Sequence, residues 1–275
     1  MSKKDTWGSD ARGQSRLWSR ANRGGGTSEK KIKKDEITFP KYYENIPDKL
    51  NNKTLRTYKN VPGWMNDAEW IFKDLFGDKY DLPLGGEHFV EIGTLLGQSS
   101  VRMAELIQKC NESHPDKKQI QFDSIDTFYF IIHSIKNGEH PPKFLDYINL
   151  YETGDIMDIL YIQLKKLDLF GLVNYICCDS KYAHNIYQDN SLDFVWVDGS
   201  HEAEDVEQDV KNFWPKIKPG GLIAGDDYIY SAVAEKIHMF ADNHKNEISK
   251  FEYPDIKKKN SGNYFKIYKR HTHEK

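Results

Sequence analysis

Two apolar runs in the last third of the chain end in carboxylates. Asp193-Phe194-Val195-Trp196-Val197 leads into Asp198-Gly199-Ser200-His201, and Leu222-Ile223-Ala224-Gly225 leads into Asp226-Asp227-Tyr228. A helical pattern lies between them. In an open α/β sheet, ligands sit at the carboxyl ends of the strands. The spacing therefore predicts that Asp198, Asp226 and Asp227 converge on one point, with His201 one turn away. Carboxylates held that close repel one another without a cation between them. Hard oxygen donors of this kind suit Mg²⁺, which takes octahedral geometry and keeps several waters. Solvated turns are the alternative for the acids. A neutral imidazole beside them can act as a general base, bind zinc or cap the next helix. Together they make a metal-and-base constellation and point to an enzyme.

A second group lies upstream. Glu91-Ile92-Gly93-Thr94-Leu95-Leu96-Gly97-Gln98-Ser99 reads as a strand end, a glycine-containing loop and a helix start. Glycine lets backbone approach a ligand closely, although packing alone also explains Gly93 and Gly97. The run has one glycine fewer than the dinucleotide G-x-G-x-x-G, and an acid precedes its first glycine. A pyrophosphate gains nothing from Glu91, so a dehydrogenase is disfavoured. Asp126 ends the next apolar run, where a nucleoside ligand's ribose is usually held; a carboxylate accepts from both hydroxyls of a diol. A turn-forming Asp is the alternative there. Asp179 and Ser180 follow a third run, and suit either a base edge or a helix cap.

The elements that must position these groups alternate regularly. Strands are expected over 88–92, 119–125, 173–178, 192–197 and 222–225, with closing antiparallel strands over 251–253 and 264–268. Helices are expected over 99–109, 155–167, 202–214 and 231–243. This predicts an α/β fold: a doubly wound, mostly parallel, Rossmann-like sheet with helices on both faces. Residues 127–150, with Gly138 and Pro141-Pro142, read as an insertion over the site. Residues 36–80 are rich in aromatics and broken by prolines. They read as a helical cover over one end of the sheet, with Asn66 or Asp67 capping a helix through Trp70 and Leu75. The main domain is expected over 81–275.

The chain has 275 residues, 38% hydrophobic and 13% aromatic, enough for a real core. It contains no apolar run of 18 residues and no signal-peptide pattern, so a soluble, unexported, cytoplasmic protein with no membrane partner is expected. Cys110, Cys177 and Cys178 make neither a disulfide framework nor a zinc spacing. Cys177 and Cys178 are expected as buried core thiols in a reducing compartment. Net charge is −3 but uneven: residues 1–35 carry ten Lys/Arg and four Asp/Glu, a net +6 against −9 for the rest. That basic, Gly- and Ser-rich tail is expected to be disordered. A solubilising tether is favoured over a nucleic-acid arm, because the body it serves is acidic.

These residues resemble a family. Val90-Glu91-Ile92-Gly93 with Gly97-Gln98-Ser99-Ser100-Val101-Arg102-Met103-Ala104 is similar to the cofactor motif of class I S-adenosylmethionine-dependent methyltransferases, the catechol O-methyltransferase group especially. Asp198-Gly199-Ser200-His201, Trp214 to Gly221, and Asp226-Asp227-Tyr228 resemble the branch of macrolide-sugar O-methyltransferases. The resemblance spans about residues 85–230. It implies a seven-stranded sheet and a division of labour. Glu91, Gly93, Gly97, Ser99, Asp126, Asp179 and Ser180 would hold S-adenosylmethionine. The first-strand acid and glycine would line its methionine side, Asp126 its ribose, and Asp179 and Ser180 its adenine. Asp198, Asp226 and Asp227 match the Mg²⁺ ligands. The catechol enzymes have Asn as third ligand and Lys as base; Asp227 and His201 stand there here, as in the sugar branch.

The implied reaction is methyl transfer to a hydroxyl, with His201 and Asp198 as the catalytic residues, His201 as the base. The acceptor is then a hydroxylated small molecule or glycan, a sugar first, because a vicinal diol chelates the metal. Segments 36–80 and 127–150 match nothing in the family and would shape acceptor choice. A metal-independent methyltransferase acting on a small molecule, peptide or RNA is the rival enzyme. A non-catalytic nucleic-acid-binding protein using the basic tail is the rival from another class. A homo-oligomer stays open.

Overall fold

The computed structural model describes residues 55–65, 68–77, 85–129, 131–151, 153–254 and 262–272. The basic tail, Asn66 and Asp67 lie outside the described residues. The strands are β1 (His88–Ile92), β2 (Gln121–Asp126), β3 (Asn174–Cys177), β4 (Leu192–Val197), β5 (Ile217–Gly225), β6 (Ile248–Glu252) and β7 (Phe265–Lys269). They form one seven-stranded sheet in the order β3-β2-β1-β4-β5-β7-β6. The first five are mutually parallel; β7 runs antiparallel between β5 and β6.

Eight helices accompany the sheet among the described residues: α1 (Ala68–Leu75), α2 (Gln98–Ser113), α3 (Ile131–Lys136), α4 (Pro142–Ile148), α5 (Ile156–Lys166), α6 (Ser180–Ala183), α7 (Ala203–Phe213) and α8 (Ser231–Asn243). A central parallel strand is buried on both faces, and β4 is buried at every position. Alternation then divides its side chains. Phe194 and Trp196 join the core under α1, α2 and α5. Val195 and Val197 join the core under α7 and α8.

Register decides where chemistry can occur. Ile92 pairs with both Ile125 and Val197, and Val197 pairs with Gly225. The parallel strands therefore end level, and the next residues in line are Gly93, Asp126, Asp198 and Asp226.

Three expectations are corrected. β5 begins at Ile217, so Pro219-Gly220-Gly221 lies inside an extended strand instead of forming a turn before it. Gly220, at φ +83°, bends the strand where its pairing with β4 shifts register. The described helix of segment 36–80, α1, lies on a face of the sheet, not at its end. The Phe72 ring meets Phe194 at 6.1 Å and Trp196 at 5.6 Å, both edge-on. Among its described residues, Pro62–Met65 reach the site. Finally, Cys177 is exposed and Cys178 half-buried, both free thiols. Cys177 ends β3, the sheet's edge strand, and Cys178 follows it, so one side has no neighbouring strand to cover it.

Segment 127–150 supplies α3 and α4. Pro142 opens α4, where its missing N–H costs nothing, and Phe144 is fully buried.

Candidate functional site

The level strand ends open into a cavity of about 990 Å³. Its walls include Gly93, Ser99, Asp126, Asp179, Ser180, Asp198, Asp226, Asp227 and His201. The fold thus brings together nearly all the residues singled out from the sequence.

Gly93 has φ +96°, and a Cβ there would lie 1.9 Å from the Asp198 carbonyl oxygen. No side chain fits, so the ends of β1 and β4 touch only because this residue is glycine. Gly97 caps α2, and Ser99 lies in that helix's first turn on the cavity wall. Gly97 itself faces Leu160, Gln163 and Tyr175 and does not line the cavity.

Glu91 does not line the cavity either; it lies beneath it, fully buried. Its Oε2 accepts from the Ser100 hydroxyl, and from Ser124 Oγ at 2.7 Å. Ser124 Oγ also meets Thr94 Oγ1 at 2.7 Å, which ties Glu91 to the loop above it. Burial pushes the Glu91 carboxyl up to about 7, against the pull of those hydroxyls. A carboxyl raised in the folded state makes folding bind protons between its ordinary value and about 7. Stability therefore falls as pH rises through that window and levels off above it. Glu91→Gln removes the titration. We expect thermal melts of Glu91→Gln to gain on the parent from pH 5 to pH 8 by roughly 1–3 kcal/mol. A constant offset across that range would assign Glu91 no buried charge.

Asp126 lines the cavity, but its carboxylate already serves the loop. Oδ2 accepts from Thr94 N at 2.9 Å and Leu95 N at 3.2 Å, and Oδ1 from Phe128 N at 2.9 Å. Asp179 caps α6, accepting from Lys181 N at 3.0 Å, and pairs with Lys181 Nζ at 3.0 Å. The turn and cap weighed from the sequence as alternatives are thus both formed, by residues that also line the cavity.

The most consequential contact joins His201 to Asp227. Nδ1 and Oδ2 are 2.5 Å apart, with the imidazole 70% exposed and the carboxylate 8%. Asp227 takes a left-handed backbone, φ +65°, two residues after the end of β5. Few residues besides Gly, Asn and Asp tolerate that conformation. It turns the carboxylate across the sheet toward the β4 loop. A carboxylate on Nδ1 makes that nitrogen the proton donor, leaving Nε2 as the acceptor.

Asp198 lies on the cavity floor. Burial first, then the charges of Asp226 and Glu91, push its carboxyl well above the ordinary range, and the Trp196 indole N–H donates to it at 3.3 Å. The three Asp residues supply the hard oxygens that Mg²⁺ prefers. As they stand, however, they do not make a three-carboxylate centre. Asp227 is turned to His201, and among the described residues no group of three His, Cys, Asp or Glu side chains is arranged to hold a metal ion.

Asp209 was missed from the sequence. It is 4% exposed on α7 and reaches the cavity wall beside Ser180; burial raises its carboxyl to about 6. Its signal was an acid three residues after Val206, on the helix's apolar face. Trp64 and His140, also on the wall, gave no periodic signal.

The cavity lies where open α/β sheets hold their ligands. Its wall runs from the glycine loop past Asp126 to the residues after β3 and β4. The chain is similar to several solved structures. A protein from Corynebacterium glutamicum is 9% identical, with a TM-score of 0.51 over 97% of this chain and 100% of that one. An S-adenosylmethionine-dependent O-methyltransferase from Thermotoga maritima is 11% identical, with a TM-score of 0.48 over 78% and 69%. An O-methyltransferase from Bacillus cereus, in complex with S-adenosylhomocysteine, is 14% identical, with a TM-score of 0.45 over 77% and 85%. No curated protein matches the chain. No described helix is long and apolar enough to cross a membrane. The family described as "Methyltransferase domain" matches residues 90–228, half of the chain. With the sheet order and the cavity at its carboxyl edge, the chain belongs to the class I S-adenosylmethionine-dependent methyltransferases.

Proposed function

We propose that the protein transfers the methyl group of S-adenosylmethionine to a hydroxyl, with His201 as general base held by Asp227. The observation that carries this is the 2.5 Å contact between them, with the imidazole open to the cavity. S-adenosylmethionine, when bound, supplies a sulfonium methyl that leaves behind a neutral thioether. His201 Nε2 takes the hydroxyl proton as the oxygen attacks the methyl carbon. Asp227 keeps the proton on Nδ1 and stabilises the imidazolium that forms. The glycine loop, Asp126 and the residues after β3 hold the cofactor, which fixes the line of attack. The acceptor is a sugar or other hydroxylated small molecule, a preference resting on the resemblance of Asp198 to His201 and of Asp226 to Tyr228 to the sugar branch.

Mg²⁺ dependence is the second reading. What favours it is the unfavourable proximity of the Asp198 and Asp226 carboxylates, which a divalent cation would relieve.

Calorimetric titration of S-adenosylhomocysteine, with Mg²⁺ and then with chelator, tests the core of the proposal. Micromolar affinity, about −8 kcal/mol, is expected in both conditions. No binding in either would remove the methyl-transfer reading. Methylation that survives chelator leaves His201–Asp227 as the activating device; methylation that needs Mg²⁺ selects the second reading.

A further inference from the structure

The loop between β1 and α2 is held in a shape its own residues do not favour. Gly93 and Gly97 have φ of +96° and +80°, and between them Leu95 has φ +50°. A bulky residue rarely takes that conformation. Such strain persists only where the surroundings over-determine it, and it concentrates at ligand clamps. Leu95 lines the cavity. Two side chains from elsewhere in the fold fasten the loop. Asp126 accepts from the Thr94 and Leu95 amides. From α5 comes Gln163, whose Nε2 donates to the Leu96 carbonyl at 3.1 Å. Gln163 is fully buried and does not line the cavity. Leu160, one turn before it, packs on the same loop: a Cβ on Gly97 would lie 2.8 Å from a Leu160 methyl and 3.4 Å from Gln163 Oε1. The same helix buries Ile156, Ile159, Ile162 and Leu164. An amide among such neighbours costs free energy unless it is hydrogen-bonded, and the carbonyl this one serves belongs to the glycine loop.

We infer that Gln163 is a positioning residue for the cofactor: from outside the cavity its amide, together with Asp126, holds residues 93–97 in the shape that receives S-adenosylmethionine. This rests on the methyl-transfer reading above, in which that loop holds the cofactor. Leu96 lies between the strained Leu95 and Gly97, the cap of α2. Its carbonyl shares one rigid peptide plane with the Gly97 N–H. Fixing the carbonyl therefore aims that N–H, which donates to the Thr94 carbonyl at 2.7 Å and closes the turn. Without the Gln163 donor the peptide is free to rotate, and Leu95 can relax out of its left-handed conformation. The loop then spends only part of its time in the receiving shape, and apparent affinity falls by that fraction. Gln163 touches neither the cofactor nor the acceptor and acts through the loop alone.

The test uses the full chain and S-adenosylhomocysteine, with calorimetry for affinity and amide hydrogen exchange for the loop. Gln163→Met keeps the length and unbranched shape of the side chain and removes the amide. It is expected to weaken S-adenosylhomocysteine binding about tenfold, the scale of one hydrogen bond lost from a buried group. Exchange of the Leu95 and Gly97 amides in the free protein should quicken by a similar factor, while the β4 amides of Val195 and Val197 stay as protected as in the parent. Gln108→Met is the control. Gln108 Nε2 donates to the Asp168 carbonyl at 3.1 Å, away from the cavity, so its loss should leave affinity unchanged. Unchanged affinity in Gln163→Met overturns the inference. Equal quickening of exchange in β4 makes Gln163 a support of the whole core and overturns it too, as does an equal affinity loss in Gln108→Met. If Gln163→Met does not fold, Gln163→Leu decides by the same readouts. A parent protein that does not bind S-adenosylhomocysteine removes the methyl-transfer reading, and the inference with it, a result distinct from each of these.

Discussion

Replacing His201 by Ala is expected to lower kcat by about 10²–10⁴-fold, the range that a positioned general base contributes. Cofactor affinity should stay within about twofold, because the imidazole is 70% exposed at the rim and touches Asp227, not the glycine loop. Asp227→Asn is expected to fall nearly as far. An amide in place of the carboxylate neither holds the Nδ1 proton nor stabilises the imidazolium, the logic of the acid–His pair in other enzymes. The double variant should be little worse than either single one, since residues acting as a unit are not additive. Single-turnover methylation across pH checks all three. Full turnover in His201→Ala would remove its assigned role. The Asn variant separates the two readings of Asp227. If Asp227 serves the imidazole, its loss mimics loss of His201, and Mg²⁺ does not rescue it. If it serves a cation, high Mg²⁺ restores activity in part.

The largest structural effect is expected at Gly93. Gly93→Ala sets a methyl 1.9 Å from the Asp198 carbonyl oxygen, and the backbone sits at φ +96°. The strain of that backbone costs roughly 1–2 kcal/mol, and forcing β1 and β4 apart about 1–3 kcal/mol more. A combined loss on the order of 3 kcal/mol would lower Tm by roughly 10 °C in a chain of this size. It would also displace Asp198 on the cavity floor, so S-adenosylhomocysteine affinity should drop more than about tenfold. Gly138→Ala is the control. It shares a positive φ, +80°, but a Cβ there meets nothing within 4 Å. Only the backbone strain remains, so a loss of about 1 kcal/mol with unchanged ligand affinity is expected. Equal losses in the two variants would mean that conformation, not close approach, explains Gly93.

Much of the fold was legible in the chain because its signals are local. Leu192–Val197, His88–Ile92 and Ser231–Asn243 match the structure residue for residue. Each is a periodic apolar segment bounded by turn-forming or polar residues, and periodicity needs only near neighbours. The alternation of strand and helix likewise determined a doubly wound sheet, and with it the side of the sheet on which the Asp residues must emerge. That is why Asp126, Asp198 and Asp226 were found without knowing any contact.

What the chain could not state by itself depends on long-range packing. The burial of Cys177 and Cys178 was misjudged because composition cannot tell an edge strand from a central one. Pro219-Gly220-Gly221 looks like a turn locally, yet pairing with β4 extends the strand through it. Residue types could propose carboxylates for a cation but not their aim. A left-handed Asp227 turns toward a histidine 26 residues away, and Asp126 is drawn onto the loop above β1. Trp64 and His140 come from segments without periodicity, and only the folded chain brings them together on one wall. The sequence by itself determined which elements form and which residue types stand at the strand ends, because these follow from local pattern. Which of those groups face one another was decided by the tertiary structure alone, because that depends on register and on backbone turns between residues far apart in the chain.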